Sequence, residues 1–348
     1  MNMPAGFELS PSTASRYLQE RGVIPKDASS TARTLGGGVS NRVIVVEHDE
    51  GCLVAKQPLP NLAVGDDWPA DVTRVHNETA ATRAYSEVVE GTGLDARVPG
   101  VVFEDTENHV VIIECAPERA DTWKAELLVG HVDAEIAQAV GTVLGTVHSE
   151  AAGDENLRAT FASKLPFEQL RLDPYHRTTA RRHPDVREEI EAEIERIEST
   201  ARTLVHGDYS PKNVLVDRGD GTGTENAAGT PWILDFEVAH WGDPAFDAAF
   251  MCNHLFIKSV YNHERSSEYV DAALGFWETY DARVPWDIET ETVTELGVLM
   301  LARVDGKSPV EYVTEEATAD ALRRIAKRTL RGEVESLAGF ADLTREDA

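Results

Sequence analysis

Asp208 and Asn213 stand five residues apart in Leu204-Val-His-Gly-Asp-Tyr-Ser-Pro-Lys-Asn-Val-Leu-Val216, and Asp235 follows in Trp232-Ile-Leu-Asp-Phe-Glu237. A carboxylate such as Asp208 can orient a hydroxyl group and accept its proton. An amide oxygen beside a second carboxylate suits a hard divalent cation. Together these are the groups needed to move a phosphoryl group from ATP to a hydroxyl, a reaction in which the protein chiefly positions and neutralises. Each residue alone has a plain structural role open to it: Asp208 capping a turn, Asn213 in a loop, Asp235 ending a strand. The spaced set, flanked by apolar strand segments, points instead to Asp208 as base and to Asn213 and Asp235 as Mg²⁺ ligands.

The amino-terminal half offers the complement. In Leu35-Gly-Gly-Gly-Val-Ser-Asn41, residues Gly36, Gly37, Gly38, Ser40 and Asn41 precede a strand and would let backbone fold closely over phosphates. Lys56 ends the next strand, where a phosphate-binding lysine is expected, and Glu78 lies on the following helix, where it can pair with that lysine. Glu114 to Ala116 would form a hinge that binds adenine through backbone groups.

The elements that must position these groups are legible from periodicity. Residues 12–21 suit a short helix. Val43 to Val46 and Cys52 to Ala55 suit strands joined by Asp49-Glu50-Gly51, Val72 to Val89 is helical, and Val98 to Phe103 with His109 to Ile113 adds two strands. Beyond Pro117 the pattern is mainly helical, over Ala134 to His148, Val186 to Arg202, Ala245 to Tyr261, Tyr269 to Tyr280, Thr290 to Arg303 and Glu315 to Arg331. Val214 to Val216 and Trp232 to Leu234 interrupt it as a hairpin with a long polar tip, Arg218 to Thr230. The expected fold is α+β and bilobal, with a mainly β nucleotide lobe over residues 1–115 and a helical lobe over 116–348 holding the catalytic loop, metal site and acceptor site.

His206-Gly-Asp208 with Asn213, then Asp235-Phe-Glu237 and Gly242-Asp-Pro-Ala-Phe-Asp247, resembles the aminoglycoside phosphotransferase and choline kinase superfamily over about residues 32–310. The resemblance implies a protein-kinase-like fold, Asp208 as base, Asn213 and Asp235 as metal ligands, and a loop-orienting role for His206. Asp243 and Asp247 are read as bracing the metal loop and capping the helix that begins near Ala245. A narrower likeness, to 5-methylthioribose kinases, runs through Lys56-Gln-Pro-Leu-Pro60, Gly65, Trp68-Pro69, Arg74 and Glu78, then Trp123 to Gly130 and Asp173-Pro-Tyr175. The catalytic segments depart from that family, which typically lacks the Asn213 equivalent and has Asp-Pro-Glu at 235–237. It implies a sugar-like acceptor, with Trp68 either an apolar wall of the site or an ordinary core residue; Arg303, in Arg303-Val-Asp-Gly-Lys-Ser-Pro309 of the helical lobe where acceptors bind in the wider superfamily, is either a substrate contact or part of a solvated loop. Aminoglycoside and choline or ethanolamine acceptors are the alternatives, and a nucleotide-binding pseudokinase acting as a regulatory module is the rival of another class.

Charge narrows the partners. The 348 residues carry 61 Asp and Glu against 33 Lys and Arg, a formal net charge of -28, with no long basic run. Nucleic acid and anionic membranes are poor partners for such a surface, and its even acidity suits a cytoplasm of high salt. Cys52, Cys115 and Cys252 are widely spaced and show no paired motif, so they are expected to be buried hydrophobes rather than a disulfide or zinc site. No leader segment or long apolar run is present, which implies a cytoplasmic protein.

Overall fold

Pro11 opens the first helix, Pro11–Arg21 (α1), at a position where a missing N–H is harmless, and Gly22 closes it with φ 71°. The computed structural model, which describes residues 7–36, 38–63, 68–219 and 229–347, continues from α1 into Ser30–Thr34 (β1), Asn41–His48 (β2) and Gly51–Pro58 (β3). Helix Arg74–Thr92 (α2) follows, then Val101–Asp105 (β4) and Val110–Glu114 (β5). These strands form one antiparallel sheet in the order β1-β2-β3-β5-β4. Its register sets Lys56 between Val43 of β2 and Val111 of β5. The edge strand β1, Ser-Thr-Ala-Arg-Thr, was not among the expected elements: it is half exposed and carries no apolar alternation to mark it.

Extending the β3–β5 pairing of Leu53 with Glu114 by one residue brings Cys52 opposite Cys115, and the two form a disulfide with Cα atoms 5.6 Å apart. This corrects the expectation that both are unpaired hydrophobes. Cross-strand pairing joins residues 63 positions apart, a proximity that spacing in the chain does not encode. Cys252 is fully buried and free, as expected.

The remainder is mainly helical. Asp121–Thr122 (β6) leads into Trp123–Leu128 (α3), Ala134–Ala151 (α4), Glu155–Thr160 (α5) and Leu165–Phe167 (α6). A π-helical stretch, Glu168–Arg177, runs on into Thr178–Arg182 (α7) and Arg187–Ser199 (α8). Thr203–Val205 (β7), a 3₁₀ turn at Pro211–Asn213, Val214–Asp217 (β8), Thr230–Ile233 (β9) and His240–Gly242 (β10) carry the small strands. Then come Pro244–Tyr261 (α9), Ser266–Asp281 (α10), Glu289–Asp305 (α11), Glu316–Leu330 (α12) and Leu337–Asp347 (α13). Helix α9 is the axis of this lobe, buried almost throughout. Helices α4 and α10 meet at Gly141 and Gly145, where a Cβ would lie 2.3 Å from the Phe276 carbonyl oxygen and 2.7 Å from that of Tyr280. No helix among the described residues is long and apolar enough to cross a membrane.

Two separate hydrophobic cores result. The smaller joins α1 to one face of the sheet through Tyr17, Leu18, Val46, Ala55 and Ile112. The larger holds the helical lobe and also takes Ala81, Tyr85 and Val89 of α2, so this helix packs with the second body although it lies in the amino-terminal segment.

A buried polar cluster ties α8, α9 and α11 together. Arg196 forks onto Glu193 at 2.5 and 2.8 Å and also reaches Asp243, while His176 Nε2 lies 2.9 Å from Glu295 Oε1. Burial raises both carboxyl groups above the usual value, Glu193 to about 8, although the Arg196 charge opposes it in each case. The folded chain thus keeps a proton that the unfolded chain releases, so this contribution to stability is complete below the ordinary carboxylate range and is lost as pH rises through and above it. Glu295→Gln should therefore flatten the decline of thermal stability as pH rises above the ordinary carboxylate range. An unchanged slope in thermal melts above that range would refute the assignment.

Candidate active site

The segment after β7 is fixed from behind by one carboxylate. Asp247, fully buried on α9, accepts the amide of His206 at 2.6 Å and that of Gly207 at 2.8 Å, and is itself held by His148 Nε2 at 3.2 Å. Gly207 adopts φ 77° and a Cβ there would sit 2.7 Å from the Val238 carbonyl oxygen, so both conformation and space require glycine. The His206 ring accepts the Asp208 amide on Nδ1 at 3.2 Å and donates from Nε2 to the Leu234 carbonyl at 3.1 Å. Burial holds this imidazole below its usual pKa, so it is neutral and links the Asp208 loop to the Asp235 turn.

Asp208 is 3% exposed. Its Oδ1 meets Arg171 Nη2 at 2.8 Å, and its Oδ2 meets Lys212 Nζ at 3.0 Å and the Asn213 side-chain amide at 2.7 Å. Burial opposes ionisation, but the Arg171 and Lys212 charges outweigh it and hold the carboxyl below its usual value. Such a group is an anion aimed at the cleft throughout the neutral range.

Asp235 has φ 69°, a left-handed backbone rare outside glycine, which turns its carboxylate toward the sheet. Burial again opposes ionisation and is outweighed by Lys56 and Lys212. Its Oδ1 takes Lys56 Nζ at 2.8 Å. Lys56 also binds Glu78 Oε1, and, despite burial, these two carboxylates raise its pKa. The Asn213 amide nitrogen is spent on Asp208, whereas among the described residues no donor is recorded on Asn213 Oδ1 or Asp235 Oδ2. Those two hard oxygens suit a divalent cation that completes its shell with water and phosphate oxygens.

The glycine-rich turn lies between β1 and β2. Gly37 falls outside the described residues. At Gly36 an added Cβ would meet nothing within 4 Å, and at Gly38 only the Asn41 carbonyl oxygen at 3.9 Å, so packing within the chain does not demand these glycines. The Ser40 carbonyl accepts the Leu59 amide at 2.8 Å and a bond from the buried Arg74, whose Nε pairs with Glu237 Oε2 at 2.9 Å. Asn41 gives its side-chain amide to the same Glu237 oxygen at 3.1 Å. Thus Asn41 braces the turn from below. At the expected hinge, the Glu114 amide is bound to the Gly100 carbonyl at 2.9 Å, while no backbone carbonyl among the described residues takes the Ala116 amide.

The two acceptor candidates differ in placement. Trp68 is buried and its Nε1 donates to the Gln169 carbonyl at 2.9 Å, which ties it to the helical lobe. Arg303 reaches the Tyr175 hydroxyl at 3.1 Å, and Tyr175 in turn lies under the Arg171 guanidinium at 5.6 Å, one contact from Asp208. Arg171 and Tyr175 belong to the π-helical stretch, whose wider turn and internal Pro174 break the usual side-chain spacing. Sequence reasoning missed Arg171, which stands well before the motif it serves. Lys212 stood inside the motif, beside Asn213, without a role.

A five-stranded sheet lobe set against a helical lobe, with a lysine–glutamate pair, an aspartate loop and a second aspartate turn in the cleft between them, defines a kinase-like phosphotransferase. Residues 31–286 match the phosphotransferase enzyme family known as APH, and the chain belongs to that family. Among solved structures, the amicoumacin kinase hAmiN in complex with AMP-PNP, Ca2+ and Ami is 13% identical, covering 92% of this chain and 94% of that one with a TM-score of 0.52, and shares the fold. A choline/ethanolamine kinase family protein from Mesorhizobium loti is 15% identical over 97% of this chain and 100% of its own, with a TM-score of 0.47. The choline kinase LicA from Streptococcus pneumoniae is 15% identical over 96% of each chain, with a TM-score of 0.46. No curated protein matches the sequence.

Proposed function

We propose that the chain is an ATP- and Mg²⁺-dependent kinase that phosphorylates a hydroxyl group of a small metabolite. The observation that carries this is the convergence of Lys56, Asp208, Asn213 and Asp235 on one cleft, with a neutral His206 bridging the two aspartate turns. In this assignment residues 1–115 supply the nucleotide lobe: Gly36, Gly37, Gly38 and Ser40 cover the phosphates, Asn41 and Glu78 support that surface, Lys56 binds phosphate, and Glu114 to Ala116 receives adenine. Residues 116–348 supply Asn213 and Asp235 for the metal and Asp208 as base. The acceptor oxygen attacks the γ-phosphorus, its proton passes to Asp208, the bond to the β–γ bridging oxygen breaks, and ADP leaves.

For the acceptor, a sugar-like hydroxyl compound, of which 5-methylthioribose is one, is favoured over an aminoglycoside, choline or ethanolamine. Cationic acceptors require convergent carboxylates, whereas the charged side chains in contact with Asp208 are Arg171 and Lys212 and, one contact further, Arg303. ADP release measured with pentoses, kanamycin, choline and ethanolamine at matched concentration tests this, in molar KCl because we read the acidic surface as adapted to salt. Pentoses should be used faster than any amine. Amine acceptors turned over at least about tenfold faster than every pentose would overturn the acceptor class, since that is ~1.4 kcal/mol of transition-state discrimination in the wrong direction.

A further inference from the structure

Only 8 of the 33 basic side chains are lysines, yet Lys124, Lys212 and Lys258 gather with Arg171 and Arg303 on the helical-lobe side of Asp208. The internal pairing does not balance them. Arg171 and Lys212 share Asp208, and Lys124 meets Glu311 at the surface. Arg303 and Lys258 have no carboxylate partner among the described residues. Arg303 donates to the Tyr175 hydroxyl and to Ser308, and its Nε is buried without any partner. Lys258, 1% exposed, has the His254 carbonyl at 3.2 Å, the Tyr312 hydroxyl at 3.4 Å and the Tyr312 ring, whose centroid is 5.2 Å away.

The local field registers the imbalance. Burial, then the Lys124 and Arg303 charges, draw the Lys258 ammonium down to about 7. Burial, then Lys258, Arg303, Lys212 and Lys124, hold His254 well below its usual value. Burying cations without counterions costs stability, and a chain of net charge -28 has no shortage of carboxylates to supply them. Glu311, which acts on Lys258 from the same cluster, is already paired with Lys124, so the five cations stay in excess over Glu311 and Asp208 in an otherwise acidic molecule.

The geometry gives the cationic cluster a length. Phe250, His254 and Lys258 recur every fourth residue on one face of α9, and Phe250 lies under the Arg171 guanidinium at 5.8 Å. Eight residues of helix rise ~12 Å, so the row spans about the length of a small metabolite from the Asp208 partner to Lys258. Resting on the kinase assignment above, we propose that the acceptor carries a phosphate or carboxylate group bound by Arg303 and Lys258 while its hydroxyl faces Asp208.

The test is calorimetric titration at constant ionic strength, with and without saturating Mg·ADP, using ribose against ribose 5-phosphate and glycerol against glycerate. Each anionic compound should bind at least about tenfold more tightly than its neutral counterpart, and Lys258→Met and Arg303→Gln should each remove most of that preference without altering ADP affinity. Lys258→Met removes a buried charge and is expected to fold at least as stably as the parent, so loss of binding in it is not loss of structure. Neutral compounds binding as well as anionic ones, or an anion preference that survives both substitutions, would overturn the inference. Failure of Mg·ADP to bind would instead overturn the kinase assignment, and the titrations without nucleotide would still decide the anion site.

Discussion

Replacing Asp208 with asparagine is expected to leave nucleotide binding intact and to lower turnover roughly 10²- to 10⁴-fold, the usual cost of losing a general base. The carboxylate faces the cleft from a buried position and is kept ionised by Arg171 and Lys212. Asparagine preserves the shape and accepts from one of these donors, but it cannot take a proton from an attacking hydroxyl. Asp208→Ala is the poorer probe, because it strands the buried Arg171 without its partner and mixes folding with chemistry. ATP affinity by calorimetry and single-turnover phosphoryl transfer separate the two steps. Near-normal transfer in Asp208→Asn would remove Asp208 from the chemistry.

Asp235→Ala should act on the nucleotide itself. Its Oδ2 lacks a donor among the described residues while its Oδ1 engages Lys56, so the substitution deletes an anionic oxygen available to a metal and half of the lysine's anchoring. The gain in ATP affinity on adding magnesium should shrink about 10- to 100-fold, in line with ~1.5–3 kcal/mol for a hydrogen-bonded charge. Asn213→Ala, which removes a neutral oxygen, should reduce it less. Calorimetric titrations with and without magnesium measure the ratio directly, and an equal ratio in parent and Asp235→Ala would count against the metal assignment.

Much of this architecture was legible before any coordinates. The β2–β3 hairpin announced itself through apolar residues on both sides of Asp49-Glu50-Gly51, and α9 through an unbroken helical pattern after Asp243-Pro244. The spacing of Asp208, Asn213 and Asp235 was likewise visible because a tight loop and one hairpin bring them together locally. What stayed hidden depended on contacts between distant segments. Arg171 approaches Asp208 from a π-helical turn with no period to read, Cys52 finds Cys115 only through sheet register, and Arg74 reaches Glu237 across 163 residues. Lys258 shows the same limit: its place in a row with Phe250 and His254 at every fourth residue is visible in the sequence, but the excess of cations over carboxylates around that row is a property of the neighbours folded around it.

Because α2 is embedded in the larger core, Glu78 and Asp235 belong to the same body, and Lys56 comes to both of them from the other. Asn41 likewise crosses to Glu237. The joint between the sheet and the helical body is therefore, at the cleft, made by charge rather than by hydrocarbon. Parting it exposes ions that water readily solvates, and a charged cargo slipped between the halves can trade places with those ions one for one. Such a clasp is governed by what carries charge into the cleft, and much less by the temperature-dependent forces that hold each half together.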